Sequence, residues 1–140
     1  MKKIVYPTDG SKTAKKAIKT VVEIAKATDA KCLVLSVADL GSRWVPSGME
    51  SKMDRELRKQ AKKLAIEAAR KLEREGVATK VETAAGNPSE EIVKLVEREK
   101  ADLIIMGTHG LTGLARVVIG SVADHVIREA NCPVMLVPLR

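Results

Sequence analysis

The chain has 140 residues and a formal net charge of +7, with 25 Lys and Arg against 18 Asp and Glu and 45% hydrophobic side chains. That length supports one domain, residues 1–140, around one core and leaves no room for two ordinary domains. With no Phe, one Tyr6 and one Trp44, the apolar set is almost wholly aliphatic, which suits parallel strands between helices and argues against the stacking platforms of single-strand nucleic-acid binders.

Lys3 to Tyr6 reads as a first strand, stopped by Pro7, and Thr8-Asp9-Gly10-Ser11 is turn and helix-start chemistry. Ala14, Ala17, Ile18, Val21, Ile24 and Ala25 recur at helical spacing and predict a helix to about Thr28. Lys31 to Val37 reads as a second strand. Asp39 to Gly48 is a loop in which Trp44 either anchors the loop to the body or packs near a ligand. From Met49 the spacing of Met53, Leu57, Ala61, Leu64, Ala68 and Leu72 marks a long amphipathic helix, ended by Gly76. Val77 to Ala85 reads as a third strand. Asn87-Pro88-Ser89-Glu90 opens a helix to about Glu99, with Asn87 as cap and Pro88 at the first helical position. Asp102 to Met106 is the fourth strand, a fourth helix runs to about Ala130 with Asn131 closing it in the left-handed conformation, and Pro133 to Pro138 is the last strand. Alternating strands and helices imply a mostly parallel sheet with helices on both faces, in which ligands bind beyond the carboxyl ends of the strands at the switch in strand order.

The charges mostly alternate in sign along helical segments, as in Asp54-Arg55-Glu56 and Arg70 to Glu75, and read as solvated faces with i,i+4 pairs. No recognition helix or basic stripe stands out, so nucleic acid is not an expected partner. Cys32 and Cys132 lack Cys-x2-Cys spacing and read as small core residues, with no disulfide framework or zinc site. Met1 to Pro7 is too poor in apolar residues for a signal peptide, and no stretch approaches the ~20 apolar residues of a membrane helix. The expectation is a soluble, cytoplasmic protein without a membrane partner.

The stretch richest in chemical meaning runs from Gly107 to Ser121. Gly107 and Gly110 sit where the fourth strand ends, and Gly120-Ser121 sits where the fourth helix begins. Glycine permits close backbone approach, and a helix N-terminus offers unpaired N–H groups to an anion, so these residues read as a nucleotide-phosphate cradle. A second reading stays open: Gly107 and Gly110 only turn the chain, and Ser121, with Asp124 three residues on, caps the helix. Neither the Gly-x4-Gly-Lys-[Ser/Thr] loop nor the Gly-x-Gly-x2-Gly fingerprint is present.

Gly107-x2-Gly110-x9-Gly120-Ser121 resembles the Gly-x2-Gly-x9-Gly-[Ser/Thr] pattern of the ATP-binding branch of the universal stress protein family. Pro7 to Ser11 after the first strand, Gly86-Asn87-Pro88 and Asn131-Cys132-Pro133-Val134 agree with it, so the resemblance covers essentially the whole chain. It implies a doubly wound three-layer α/β sandwich of the adenine nucleotide alpha hydrolase-like type, with a five-stranded parallel sheet in the order 3-2-1-4-5. It also implies a homodimer through the C-terminal strand, about Pro133 to Pro138, with protein partners unspecified. By the same resemblance Pro7, Thr8 and Asp9 would border the adenosine, and Val37 would offer its backbone to the adenine edge. Met106, Gly107, His109 and Gly110 would lie against ribose and α-phosphate. Gly120, Ser121 and Val122 would bind the outer phosphates of ATP, with Mg2+ held through phosphates and water. Arg116 either adds charge to this loop or is a solvated residue. His109 reads as a lining residue rather than a general base, and His125 as structural or solvent-facing. The leading function is an ATP-binding regulator. The alternatives are a slow ATPase or a phosphoryl or nucleotidyl transferase, and below these a nucleotide-free structural or chaperone-like dimer. No catalytic residue is assigned.

Overall fold

The computed structural model describes residues 1–41, 45–108 and 119–139. Its elements are β1 (Lys3–Pro7), α1 (Lys12–Thr28), β2 (Lys31–Asp39), α2 (Lys52–Arg74), β3 (Thr79–Gly86), α3 (Pro88–Glu99), β4 (Leu103–Gly107), α4 (Ser121–Glu129) and β5 (Val134–Val137). The strands form one sheet in the order β3-β2-β1-β4-β5, every neighbouring pair parallel. Helices cover both faces, so the central strands β2, β1 and β4 are buried on both sides and need aliphatic residues in near-continuous runs, while the edge strands β3 and β5 are half-buried or exposed.

Two apolar layers follow from the two-residue period of the strands. On one face Ile4, Tyr6, Cys32, Val34 and Ile105 meet Ala17, Val21 and Ala25 of α1 and Ala65, Ala68 and Leu72 of α2. On the other face Val5, Leu33, Leu35, Ile104 and Met106 meet Ile92, Leu95 and Val96 of α3 and Ala123 and Val126 of α4. The alanines let α1 and α2 lie close to the sheet. Each fully buried Val, Ile or Leu contributes roughly 1.5–3 kcal/mol.

Sequence and structure differ mostly at element ends. The second helix begins at Lys52 rather than near Met49, because Ser51 caps it. Ser51 Oγ accepts from Asp54 N–H at 3.1 Å, and Asp54 Oδ2 accepts from Ser51 N–H at 3.1 Å. Asp29 and Lys100 close α1 and α3 in the left-handed conformation, at φ 56° and 53°, where no glycine marked the stop. Asn131 was expected to close α4 in that way and does not. Positive φ outside glycine is confined to Asp29 and Lys100 among the described residues. Instead Ala130 leaves the helix extended at φ −71°, ψ 142°, and Asn131 to Pro133 lead to β5. The third strand starts at Thr79, two residues later than expected. The second runs on to Asp39, because Val37, Ala38 and Asp39 remain paired with Ala84, Ala85 and Gly86. Trp44 lies outside the described residues. No helix among them is long and apolar enough to cross a membrane.

Candidate functional site at the carboxyl end of the sheet

The reversal of strand order falls at β1, which lies between β2 and β4. β1 ends at Pro7, opposite Leu35, while β2 continues to Asp39. The sheet therefore carries a notch above the end of β1. Main-chain groups on a parallel strand point alternately to its two neighbours. On β2, Cys32 N–H turns to β3, donating to Ala78 O at 2.9 Å. Lys31 N–H turns to β1, reaching Lys2 O at 2.9 Å, and Leu35 O accepts from Thr8 N–H at 2.8 Å. The same alternation turns the amide and carbonyl of Val37 towards β1, beyond that strand's last rung. On β4 the even positions face β5: Ile104 N–H meets Pro133 O at 3.0 Å and Thr108 N–H meets Val137 O at 3.2 Å. Gly107 therefore faces β1. Val37 and Gly107 thus direct backbone into the notch from opposite sides, and Pro7 and Thr8 form its floor.

The floor is held by local chemistry. Thr8 Oγ1 accepts from Gly10 N–H at 3.2 Å, and Asp9 Oδ1 accepts from Ser11 N–H at 2.9 Å. Ser11 Oγ caps α1, accepting from Ala14 N–H at 3.3 Å. Gly10 has φ +79°, and a Cβ there would lie 2.7 Å from Leu64 Cδ2. Asp9 is exposed, but one of its carboxylate oxygens is engaged in this turn. Pro7, Thr8 and Met106 are buried, and Val37 is half-buried.

Gly107 is needed for a reason that spacing did not reveal. A Cβ on it would lie 2.5 Å from Thr13 Oγ1 and 2.8 Å from the Thr13 carbonyl carbon. The first turn of α1 passes directly over it, so the missing side chain admits a helix. This contact lies on the α1 side of Gly107, apart from the backbone edge that it turns towards β1.

The loop between Thr108 and Gly120 is pinched at its base, where Gly120 N–H donates to Thr108 O at 2.7 Å. The Gly120 amide, expected to serve a phosphate, is spent within the chain. The next amides are different. The N-cap of α4 is Gly120 at φ −63°, ψ 159°, with no side-chain cap hydrogen bond. The first bond of this helix start runs from Asp124 N–H to Gly120 O at 2.9 Å. The amides of Ser121, Val122 and Ala123 thus have no acceptor among the described residues. Ser121 is the first helical residue rather than the cap, and its side chain is exposed. Asp124 pairs with Arg128 at 2.7 Å instead of reaching back. The capping reading of Ser121 is not realised. By contrast α1, α2 and α3 each start on a capping side chain: Ser11, Ser51 and Asn87. His109, Gly110 and Arg116 lie outside the described residues.

Among the described residues no three of His, Cys, Asp and Glu gather around one point. A concavity of about 480 Å3 lies at the opposite end of the sheet between Lys26, Asp29, Lys31 and Gly76. Carbonyls of both helix ends bordering it are already used, Ala25 O by Ala30 N–H at 3.0 Å and Leu72 O by Val77 N–H at 3.1 Å. The arrangement of open amides is therefore at the carboxyl end.

Comparison with known proteins agrees with the architecture. The family model described as the universal stress protein family matches residues 1–138. Universal stress protein MJ0531 of Methanocaldococcus jannaschii is 42% identical over 138 residues, covering 97% of this chain and 81% of that protein. The structure of MJ0577 from the same organism aligns with TM-score 0.85 and 38% identity over 98% of this chain and 95% of that one. A universal stress protein from Archaeoglobus fulgidus, solved in complex with dAMP, aligns with TM-score 0.69 over 98% and 97% of the chains; at 21% identity it speaks for the fold alone. With a whole-chain family match, a close archaeal relative and the same strand order, the chain belongs to the universal stress protein family.

Proposed function

We propose that the protein is an ATP-binding regulator that holds the nucleotide over the end of β1 and acts as a homodimer. The observation that carries this reading is the uncapped start of α4. Three consecutive amides and the Ser121 hydroxyl lie at the positive end of the helix, whereas α1, α2 and α3 each start on a capping side chain. The outer phosphates of ATP would take the amides of Ser121, Val122 and Ala123, leaving the Gly120 amide on Thr108. The adenine edge would meet the main chain of Val37, and Pro7, Thr8 and Asp9 would border the adenosine. Met106 would support this floor from within the core. His109, Gly110 and Arg116 would close the site from the loop. A divalent ion would arrive on the phosphates with its waters, since no carboxylate cluster among the described residues would hold it. The edge strand β5, half-buried at all four positions and flanked by Pro133 and Pro138, would meet its counterpart in a second copy.

Ser121→Pro tests the amides directly. Proline is favoured at the first helical position, and the extended Gly120 before it is compatible. The substitution removes one N–H and the hydroxyl without opposing the helix. Calorimetric titration with Mg·ATP should show affinity down by about 100-fold or more, because two hydrogen bonds to a charged group are lost and each contributes roughly 1.5–3 kcal/mol. Ser121→Ala should lose only the hydroxyl's part. Equal ATP affinity in the parent and in Ser121→Pro would sink the assignment.

A further inference from the structure

The formal charge of +7 is unevenly distributed over the molecule. α1 and α2 share one face of the sheet. α1 carries five basic residues and one acidic, and α2 nine basic and four acidic, one of which, Asp54, is buried in its capping box. All fourteen basic side chains are exposed. The opposite face, α3 and α4, carries three basic residues against six acidic. Pairing sharpens the contrast. On the α3/α4 side and the neighbouring sheet edges, Lys94–Glu91 at 3.1 Å, Arg98–Glu82 at 3.5 Å, Lys3–Glu99 at 3.8 Å and Arg128–Asp124 at 2.7 Å consume the cations. On α1 and α2 one ion pair forms among the described residues, Lys59–Glu56 at 3.7 Å. Among the described residues no i,i+4 ion pair forms from Asp54 to Glu56 or from Arg70 to Glu75, and Glu56 pairs three residues on with Lys59. Asp54 turns inward to its cap, and Glu73 accepts instead from Thr79 Oγ1 at 2.7 Å.

We infer that the α1/α2 face is a docking surface for the phosphate backbone of double-stranded nucleic acid, bound without regard to sequence. Two adjacent helices of about 25 and 35 Å length make a broad, rigid field of lysine and arginine. A duplex presents one charge per about 1.7 Å of its axis, and neutralising it releases counterions. Phosphate contacts of this kind position a protein and read no bases. The face has no aromatic residue for stacking unpaired bases. Its only large exposed apolar side chain is Met53, in the first turn of α2, which leaves little apolar area to enter a bilayer. Each helix is basic by itself, and their adjacency makes the face. The right-handed crossovers of β1-α1-β2 and β2-α2-β3 put both on one side. The inference is independent of the nucleotide site.

The test is anisotropy titration of the full chain against a labelled random-sequence DNA duplex between about 50 and 200 mM salt. Binding is expected, with log K falling against log salt at a slope of about −4 or steeper, which corresponds to four or more phosphates at roughly −0.9 each. A variant combining Lys15→Glu, Lys19→Glu, Lys62→Glu and Arg70→Glu should bind at least about 100-fold more weakly at the low-salt end and with a flatter slope. Its circular dichroism should be unchanged, since exposed substitutions away from caps and core cost little. Glu90→Lys with Glu97→Lys, on the other face, should alter affinity less than about threefold. No duplex binding at low salt, affinity indifferent to the quadruple reversal, or tighter binding to phosphatidylglycerol vesicles than to the duplex would each overturn the inference. If the quadruple variant fails to fold, Lys15→Gln with Lys62→Gln supplies the same comparison, and an unaltered slope there overturns it equally.

Discussion

Gly107 and Thr13 show how one atom decides a local structure. The contact at 2.5 Å to Oγ1 would relax if that side chain turned away, but the 2.8 Å contact to the Thr13 carbonyl carbon involves backbone. Gly107→Ala should therefore destabilise the fold by about 2 kcal/mol, the middle of the overpacking range. At this size that is roughly a 6 °C fall in the midpoint of a thermal melt. An unchanged midpoint would mean that α1 shifts freely over β4. The two thiols make a second residue-level comparison. Burial pushes the Cys32 thiol up to about 12. Cys132 is raised first by partial burial and then by the charge of Asp102. A raised thiol carries less thiolate at any pH below it, and the thiolate is the nucleophile. With a disulfide reagent at mildly alkaline pH, Cys132 should react more slowly than a free thiol, and Cys32 only when the chain unfolds. Rapid modification of both in the native protein would contradict the burial of β2.

At the scale of elements, the helices were legible where a capping side chain writes their start. Asn87-Pro88 gave the start of α3 to the residue, and Gly76 gave the stop of α2. Ser51 carried the same signal for α2, with Asp54 as its partner, but the apolar spacing drew attention to Met49 and Met53 instead. Asp29 and Lys100 close their helices in a conformation that side chain chemistry alone does not require, so tertiary placement decides it. At the fourth helix the sequence offered two readings of Ser121, and only coordinates could separate them. A capping serine would sit before the helix; this one sits inside it. The pattern of glycines was likewise visible, but not its division of labour. Gly107 admits Thr13, and Gly120 ties its amide to Thr108. Both are long-range facts, set by what the rest of the chain brings alongside.

For the whole molecule, alternation of elements gave the layers, and the family pattern gave the strand order. The basic excess of α1 and of α2 can be counted in the sequence, but not the polarity of the whole, which needs both on one side. It arises when the topology gathers two helices on one side. The same topology leaves β5 at an edge, joined to β4 and without a strand on its other side among the described residues. Light scattering should give twice the chain mass of 15.1 kDa, and native mass spectrometry the same. A monomer at micromolar concentration would remove the dimer from the proposal, because an open edge of this kind would then be tolerated alone.

The hydrogen bond between Gly120 and Thr108 has an evolutionary consequence. Both ends of the intervening segment are moored, one to β5 through Thr108 and the other to the start of α4. A change at either mooring is felt in the edge strand and the last helix together, so the two positions are inherited as one unit. A lineage that alters the chemistry of its mouth must keep both ends in place.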